Sequence, residues 1–261
     1  MKDDIIWELQ SAKVSEKMLK GERVDGRALD EYREISIQKN LSKNAEGSAI
    51  AKIGETEVIF GTKMILGEPY PDSPDEGTIA VGVELSPIAS PYFETGPPKE
   101  AAIELSRVVD RGIREAKTID FKELCRTPGE EVWIVFIDGY TLNDTGNLFD
   151  TSALAAVASL TEVRYPKVED GKIVKGEYEK QLKMNRTPIL STFAKISGKI
   201  VVDPTSEEEK AMTSRFSVST TEDDYCAAFQ KGGQGSFTKK EIDECLETAF
   251  KRAKEIRQKV K

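Results

Sequence analysis

Histidine is absent from all 261 residues. That gap removes a Ser-His-Asp triad, a Cys-His pair and any imidazole-ligated metal from this chain's own chemistry. What chemistry remains would have to rest on carboxylates, lysine, arginine or a metal held by oxygen. Cysteine is scarce as well: Cys125, Cys226 and Cys245 are odd in number, far apart and in no C-x-x-C pair. They read as buried free thiols rather than a disulfide framework or a zinc site. No apolar run approaches the roughly 20 residues that a membrane span needs, so no membrane partner is expected. The opening MKDDIIWELQ lacks the apolar centre of a signal peptide, which gives a cytoplasmic expectation. Basic charge is in deficit: 38 Lys and Arg against 46 Asp and Glu leave a net charge of -8. That balance argues against a free-standing, sequence-independent nucleic-acid binder. It leaves room for one local arginine cluster meeting a phosphate backbone inside an assembly.

What is there is a soluble, charge-rich globular pattern, 38% hydrophobic and 32% charged. Ile5, Ile6, Leu9, Val14 and Met18 recur at helical spacing and predict one or two amphipathic helical segments from about Asp3 to Lys20. Strands are expected at Arg33 to Gln38, Ser48 to Ile53, Glu57 to Met64 and Ile79 to Leu85, with Gly54-Glu55-Thr56 as a hairpin turn. Pro97-Pro98 introduces a helix over about Lys99 to Lys117. Ala102, Leu105, Val109 and Ile113 share its apolar face. Val132 to Tyr140 reads as a strand buried on both faces. Thr151 to Arg164 reads as a second, alanine-rich helix that Asp150 could cap. The polar stretch Tyr165 to Gln181 is a surface excursion separating two parts, residues 1–165 and residues 186–261. Strands at Pro188 to Lys195, Lys199 to Val202, Arg215 to Thr220 and Cys226 to Gln230 follow. A last helix begins at Thr238, with Glu241 completing a capping box. This order is α+β, with mixed sheets and packed helices.

Several segments carry a resemblance to the RNase PH family over nearly the whole chain. They are RVDGR at Arg23 to Arg27, the hairpin GSAIAKIGETEVIFGTK, the helix AIELSRVVDRGIREA, the strand and loop WIVFIDGYTLNDTGNLFDTSALAA, and then VVDPTSEEE and QKGGQGSF. Each is weak alone; their order and spacing are specific. PYPDSPDEG, FETGPPKE and ELSRVVDRGIRE are especially similar to the non-catalytic ring subunits of archaeal exosomes. The resemblance implies a ribosomal protein S5 domain 2-like fold and a hexameric ring in which this chain alternates with a catalytic RNase PH-like exosome subunit. It also implies RNA-binding cap subunits and single-stranded RNA as partners.

Active members of the family are phosphorolytic exoribonucleases. Their phosphate loop ends in Gly-Thr-Arg, and the matching stretch here, Asp144 to Leu148, places Leu148 at the arginine. Leucine has no donor fork, so bidentate phosphate recognition is lost. Active members also carry two aspartates, which align with Glu209 and Arg215; an arginine there would repel Mg²⁺. The resemblance therefore implies no catalytic residue and no cofactor in this chain, with phosphate and Mg²⁺ at the partner's site. An active enzyme using Glu209 and Asp203 is the alternative. Asp203 otherwise reads as a turn residue before Pro204. Ser206 to Lys210 reads as a solvated, acidic helix start with Ser206 and Glu209 at capping-box spacing. Gly232 to Gly235 lacks the Lys-Ser/Thr of a P-loop and reads as a flexible turn. Arg107, Arg111 and Arg114 match helix positions that line the RNA path in the non-catalytic subunits. Guanidinia one turn apart can clamp successive phosphates. Glu104, Asp110 and Glu115 could instead pair with them. A third reading is a purely structural ring member without RNA contact. The basic end, Lys251 to Lys261, reads as a solvated helix face.

Overall fold

A computed structural model describes the backbone of residues 2–260 and the side chains of residues 10–260. The first helix, α1 (Lys2–Leu19), is continuous. Val14 and Met18 are buried, whereas Ile5, Ile6 and Leu9 lie outside the described side chains. Strands β1 (Ile35–Lys39), β2 (Gly47–Ile53), β3 (Thr56–Gly67) and β4 (Thr78–Glu84) precede α2 (Glu100–Glu115). Then come β5 (Cys125–Thr127), β6 (Glu131–Asn143) and α3 (Leu148–Leu160). The first sheet runs β1-β2-β3-β6-β4, with β5 added to β6. The pair β4–β6 is parallel, and α2 supplies the long connection such a pair needs.

The stretch expected as a surface excursion is a hairpin, β7 (Arg164–Glu169) and β8 (Lys172–Gln181), forming its own two-stranded sheet. Beyond it, β9 (Ile189–Ile196), β10 (Lys199–Val202), α4 (Ser206–Ala211), β11 (Ser214–Thr220), β12 (Cys226–Gly233) and α5 (Lys239–Val260) complete the fold. The second sheet is antiparallel, in the order β10-β9-β11-β12. The α+β expectation holds. No helix among the described residues is long and apolar enough to cross a membrane.

The sequence of α3 explains the layering. Its residues are apolar or small all round, so it has no face suited to water and must be enclosed. Every residue from Phe149 to Leu160 is buried, with β2 and β3 packed against the helix from the first sheet and β9 from the second. One core accordingly spans both sheets, from Phe60 and Ile137 to Ile189, Leu190 and Ile256. Enclosing a side chain such as Leu160 contributes about 1.5–3 kcal/mol.

Five expectations are corrected. Strand β6 is buried on one face only: Trp133, Val135 and Ile137 point into the core, while Asp138 and Tyr140 are exposed. Among the described residues, nothing covers the outer face of that sheet as α3 covers the inner one. Helix α3 starts at Leu148, and its cap is Asn147 rather than Asp150, which lies inside the first turn. The capping box of α4 is Thr205 with Glu208, one residue earlier than the spacing suggested, and Glu209 is free for another role. The first two glycines of Gly232 to Gly235 end β12 rather than forming a flexible turn. The three cysteines are free, but only Cys245 is buried and Cys125 and Cys226 are half-buried. The Thr238–Glu241 capping box is present, with reciprocal bonds of 2.7 and 3.3 Å.

Candidate functional site

The loop Asp144 to Leu148 reaches α3 through a tight passage. Gly146 has φ +100°, and a Cβ there would lie 2.3 Å from the Ser206 backbone nitrogen, so only glycine fits this close approach. Asn147 follows in the left-handed region at φ 61°. Its side-chain amide donates to Asp150 at 2.9 Å and to Asp203 at 2.8 Å. The start of α3 is thereby tied to the turn after β10.

That turn is built around Asp203, which is fully buried and has φ 50°. Its carboxylate accepts from the Arg27 guanidinium at 2.8 Å and from the backbone and side chain of Arg33 at 2.7–2.9 Å. Burial alone would raise its pKa, but the Arg33 bonds and charge hold it below the ordinary carboxylate value. Beside it, Arg23 is buried and donates to both oxygens of Glu208, at 2.9 and 2.6 Å. It also donates to the carbonyls of Val202 and Asp203. The loop RVDGR is therefore an internal clamp across the two parts of the chain. Asp203 is neither a simple turn residue nor a free carboxylate. Asp150, also buried, accepts from Tyr32, Asn147 and the Thr192 backbone. Desolvation pushes its pKa up to about 6 despite those donors.

Against this frame lies a cavity of about 170 Å³ that brings Asp144, Leu148, Glu209 and Arg215 together, with Leu85, Phe93 and Phe149 among its walls. The amides of the loop are already satisfied from within. Thr145 N donates to Thr56 Oγ1 at 3.1 Å, Gly146 N to Asp144 Oδ1 at 3.0 Å and Asn147 N to Glu209 Oε1 at 2.9 Å. Two carboxylates thus sit on the N–H groups that an external anion would need. Burial raises the pKa of Asp144. Burial also pushes Glu209 to about 7, with Asp144 adding to the rise and the Asn147 amide, Arg215 and Arg33 opposing it.

Arg215 is seated, not loose. It pairs with Glu104 of α2, lies 3.9 Å over the Phe149 ring, and faces Gly232, where a Cβ would come within 2.8 Å of the guanidinium. Gln230 donates to the same Glu104 carboxylate at 3.0 Å. This donor set does not fit a divalent metal. A unit positive charge about 4 Å from such an ion costs roughly 8 kcal/mol at an effective dielectric of about 20. Among the described residues, no three carboxylates, thiols or imidazoles gather as a metal group.

The three helix arginines part company. Arg107 is exposed and has no hydrogen bond or ion pair among the described residues. Arg111 is exposed, with only a long 3.4 Å contact to the Phe229 carbonyl. Arg114 does not join them. It is half-buried, bonds Asp110 at 3.0 and 3.1 Å, donates to the Ile79 carbonyl on the edge of β4, and lies over the Phe121 ring at 5.3 Å. Two turns along the helix, Arg114 meets the first sheet instead of open solvent, so it fastens α2 to β4. Sequence reasoning found Leu148, Glu209 and Arg215. It did not single out Asp144, and it read Asp203 as a turn residue or an alternative catalytic carboxylate rather than as the acceptor of this framework. The signal available was a cluster of arginines, Arg23, Arg27 and Arg33, in the loop of an acidic chain.

Comparison with known proteins follows the same outline. Residues 31–166 match the family described as 3′ exoribonuclease family, domain 1, and residues 186–252 match its domain 2. The exosome complex component Rrp42 of Thermococcus kodakarensis is 46% identical over 252 residues, covering 95% of this chain and 92% of that protein. A chain of the Archaeoglobus fulgidus exosome with RNA bound to the active site superposes with a TM-score of 0.92 at 42% identity, covering 98% of this chain and all of that one. A chain of an archaeal exosome core gives 0.89 at 39% identity, over 100% and 99%.

Proposed function

The chain belongs to the 3′ exoribonuclease family, and from that premise we propose that it is a non-catalytic, RNA-contacting ring subunit of an exosome. In this reading it alternates with a catalytic RNase PH-like subunit, receives RNA beneath RNA-binding cap subunits, and works in the cytoplasm. The observation that carries the loss of catalysis is the self-occupied loop. Asp144 and Glu209 accept from its amides, and Leu148 stands where the family places the phosphate-binding arginine. Seated Arg215 adds a positive charge where the family needs a metal-binding carboxylate. The chain's contribution to catalysis is then indirect: it supplies a channel wall and shapes the partner's site, while phosphate and Mg²⁺ act at the partner.

The test is phosphorolysis of an oligo-A substrate with phosphate and Mg²⁺. The chain alone should release no nucleoside diphosphate, and its mixture with the catalytic subunit should exceed that subunit by itself. Release by the chain alone would overturn the proposal. A second reading, an active enzyme, draws on the raised pKa of Glu209 beside Asp144. It loses Asp203, whose carboxylate is occupied by Arg27, Arg33 and Asn147.

Contact with RNA rests on Arg107 and Arg111, exposed one turn apart without acidic partners. Replacing both by alanine should weaken RNA binding by the assembled ring for all sequences alike. The slope of log affinity against log salt should fall by about one per lost phosphate contact. An unchanged slope would favour the purely structural role.

A further inference from the structure

Among the described residues, no layer lies over the outer face of the first sheet. Its side chains follow from strand register. Ile50, Ile59 and Tyr140 form one cross-strand row that ends at Glu84. Phe136 and Ala80 lie in a second row, and Ile65 and Ile134 in a third. Ile65 is 41% exposed and Tyr140 45%. A contiguous apolar sheet face of this kind marks an interaction surface.

Between the apolar rows lies a notch. Gly61, Asp138 and Gly82 occupy one row across β3, β6 and β4. The two glycines leave Asp138 as the single side chain there. Its carboxylate leans over Gly82, where a Cβ would come 2.7 Å from Oδ1. Glu84 stands next to it, hydrogen-bonded with Tyr140, and neither acid has an ion pair among the described residues. Burial and the Glu84 charge both raise the pKa of Asp138. The cations on this face are engaged elsewhere: Lys63 with Glu46, and Lys52 with Glu57.

Resting on the ring reading above, we propose that this face is where the neighbouring subunit docks, and that the neighbour inserts an arginine or lysine, ringed by apolar side chains, into the Gly61–Asp138–Gly82 notch. Charge complementarity selects that occupant. Two adjacent carboxylates without a cationic partner among the described residues, in a largely apolar surround, are costly to cover with anything but a cation. A second copy of this chain fits poorly, because an isologous pairing would set this acidic row against a face whose lysines are already bound. Nucleic acid is excluded by the same charge.

The experiment is association of the full chain with the catalytic subunit, followed by sedimentation and titration, for wild type, Asp138→Lys, Ile65→Glu and Asp138→Asn. Asp138→Lys is expected to weaken association about 100-fold or more, and Ile65→Glu to weaken it clearly. The melting temperature of free Asp138→Asn should hold or rise, since a like-charge contact with Glu84 is relieved. Wild-type affinity in both Asp138→Lys and Ile65→Glu would overturn this assignment and leave the ring reading standing. No complex with wild type would overturn both. Self-association of the chain that Asp138→Lys abolishes would give the face to a second copy and overturn the hetero-partner.

Discussion

Asp203→Ala is expected to destabilise the chain by about 3–5 kcal/mol, the cost of removing one partner from a buried charge cluster. For a chain of this size that is a fall in Tm of roughly 6–20 °C. Substitution leaves the guanidinia of Arg27 and Arg33 and the amide of Asn147 without their shared acceptor. The effect should depend on pH with a definite sign. The folded pKa of Asp203 is depressed. Its stabilisation is therefore complete above the unfolded-state value of about 3.9 and disappears as pH falls through the lower folded value. Thermal melts of wild type and variant between neutral pH and about pH 3 would check this. The gap in Tm should be constant down to about pH 5 and then narrow. A gap under about 2 °C at neutral pH would mean that Asp203 does not organise this turn.

The second large effect is expected at Arg23. Arg23→Met should also cost about 3–5 kcal/mol, because Glu208 keeps a buried charge without its guanidinium and the carbonyls of Val202 and Asp203 lose a donor. Glu208→Gln in the same chain should recover part of the loss. It removes the stranded charge and preserves an acceptor for the Thr205 amide in the α4 capping box. Urea denaturation of the single and double variants forms a double-mutant cycle, and the coupling should exceed about 1 kcal/mol. Additive losses would show that the two residues act separately. Both experiments probe one device: the N-terminal loop that carries RVDGR holds the turn and the start of α4, the helix from which Glu209 reaches the Asp144 to Leu148 loop. Its failure should loosen that loop as well as lower stability.

The clamp and the notch share a physical character. Each brings together groups far apart in sequence, ion pairs in the clamp and the Gly82–Asp138 strand pairing in the notch, so neither could be read from local pattern. Arg23 and Glu208 are separated by 185 residues, and Arg33 and Asp203 by 170. The same separation explains Asp203: next to Pro204 it has the composition of a turn, and only folding brings two arginines to it.

By itself the sequence determined the element types and their order. Periodicity, turn chemistry and capping are local, and they identify every strand of the two larger sheets except β5, but not the separate hairpin β7–β8. It also determined that the chain has no histidine, and that leucine stands at position 148 and arginine at position 215. Tertiary structure decided the rest. Burial of β6 on one face follows from which layers the fold places around it, and a run of apolar residues cannot state that. The start of α3 at Leu148 was decided by Asn147, whose side chain is held by Asp203 from the other part of the chain. The separation of Arg114 from Arg107 and Arg111 was decided by the edge of β4, which offers a carbonyl to the first and nothing to the others. Closure of the Asp144 to Leu148 loop by Glu209 required two segments 62 residues apart to meet. Residue identity fixes which groups are available; only the packed chain fixes which of them find each other.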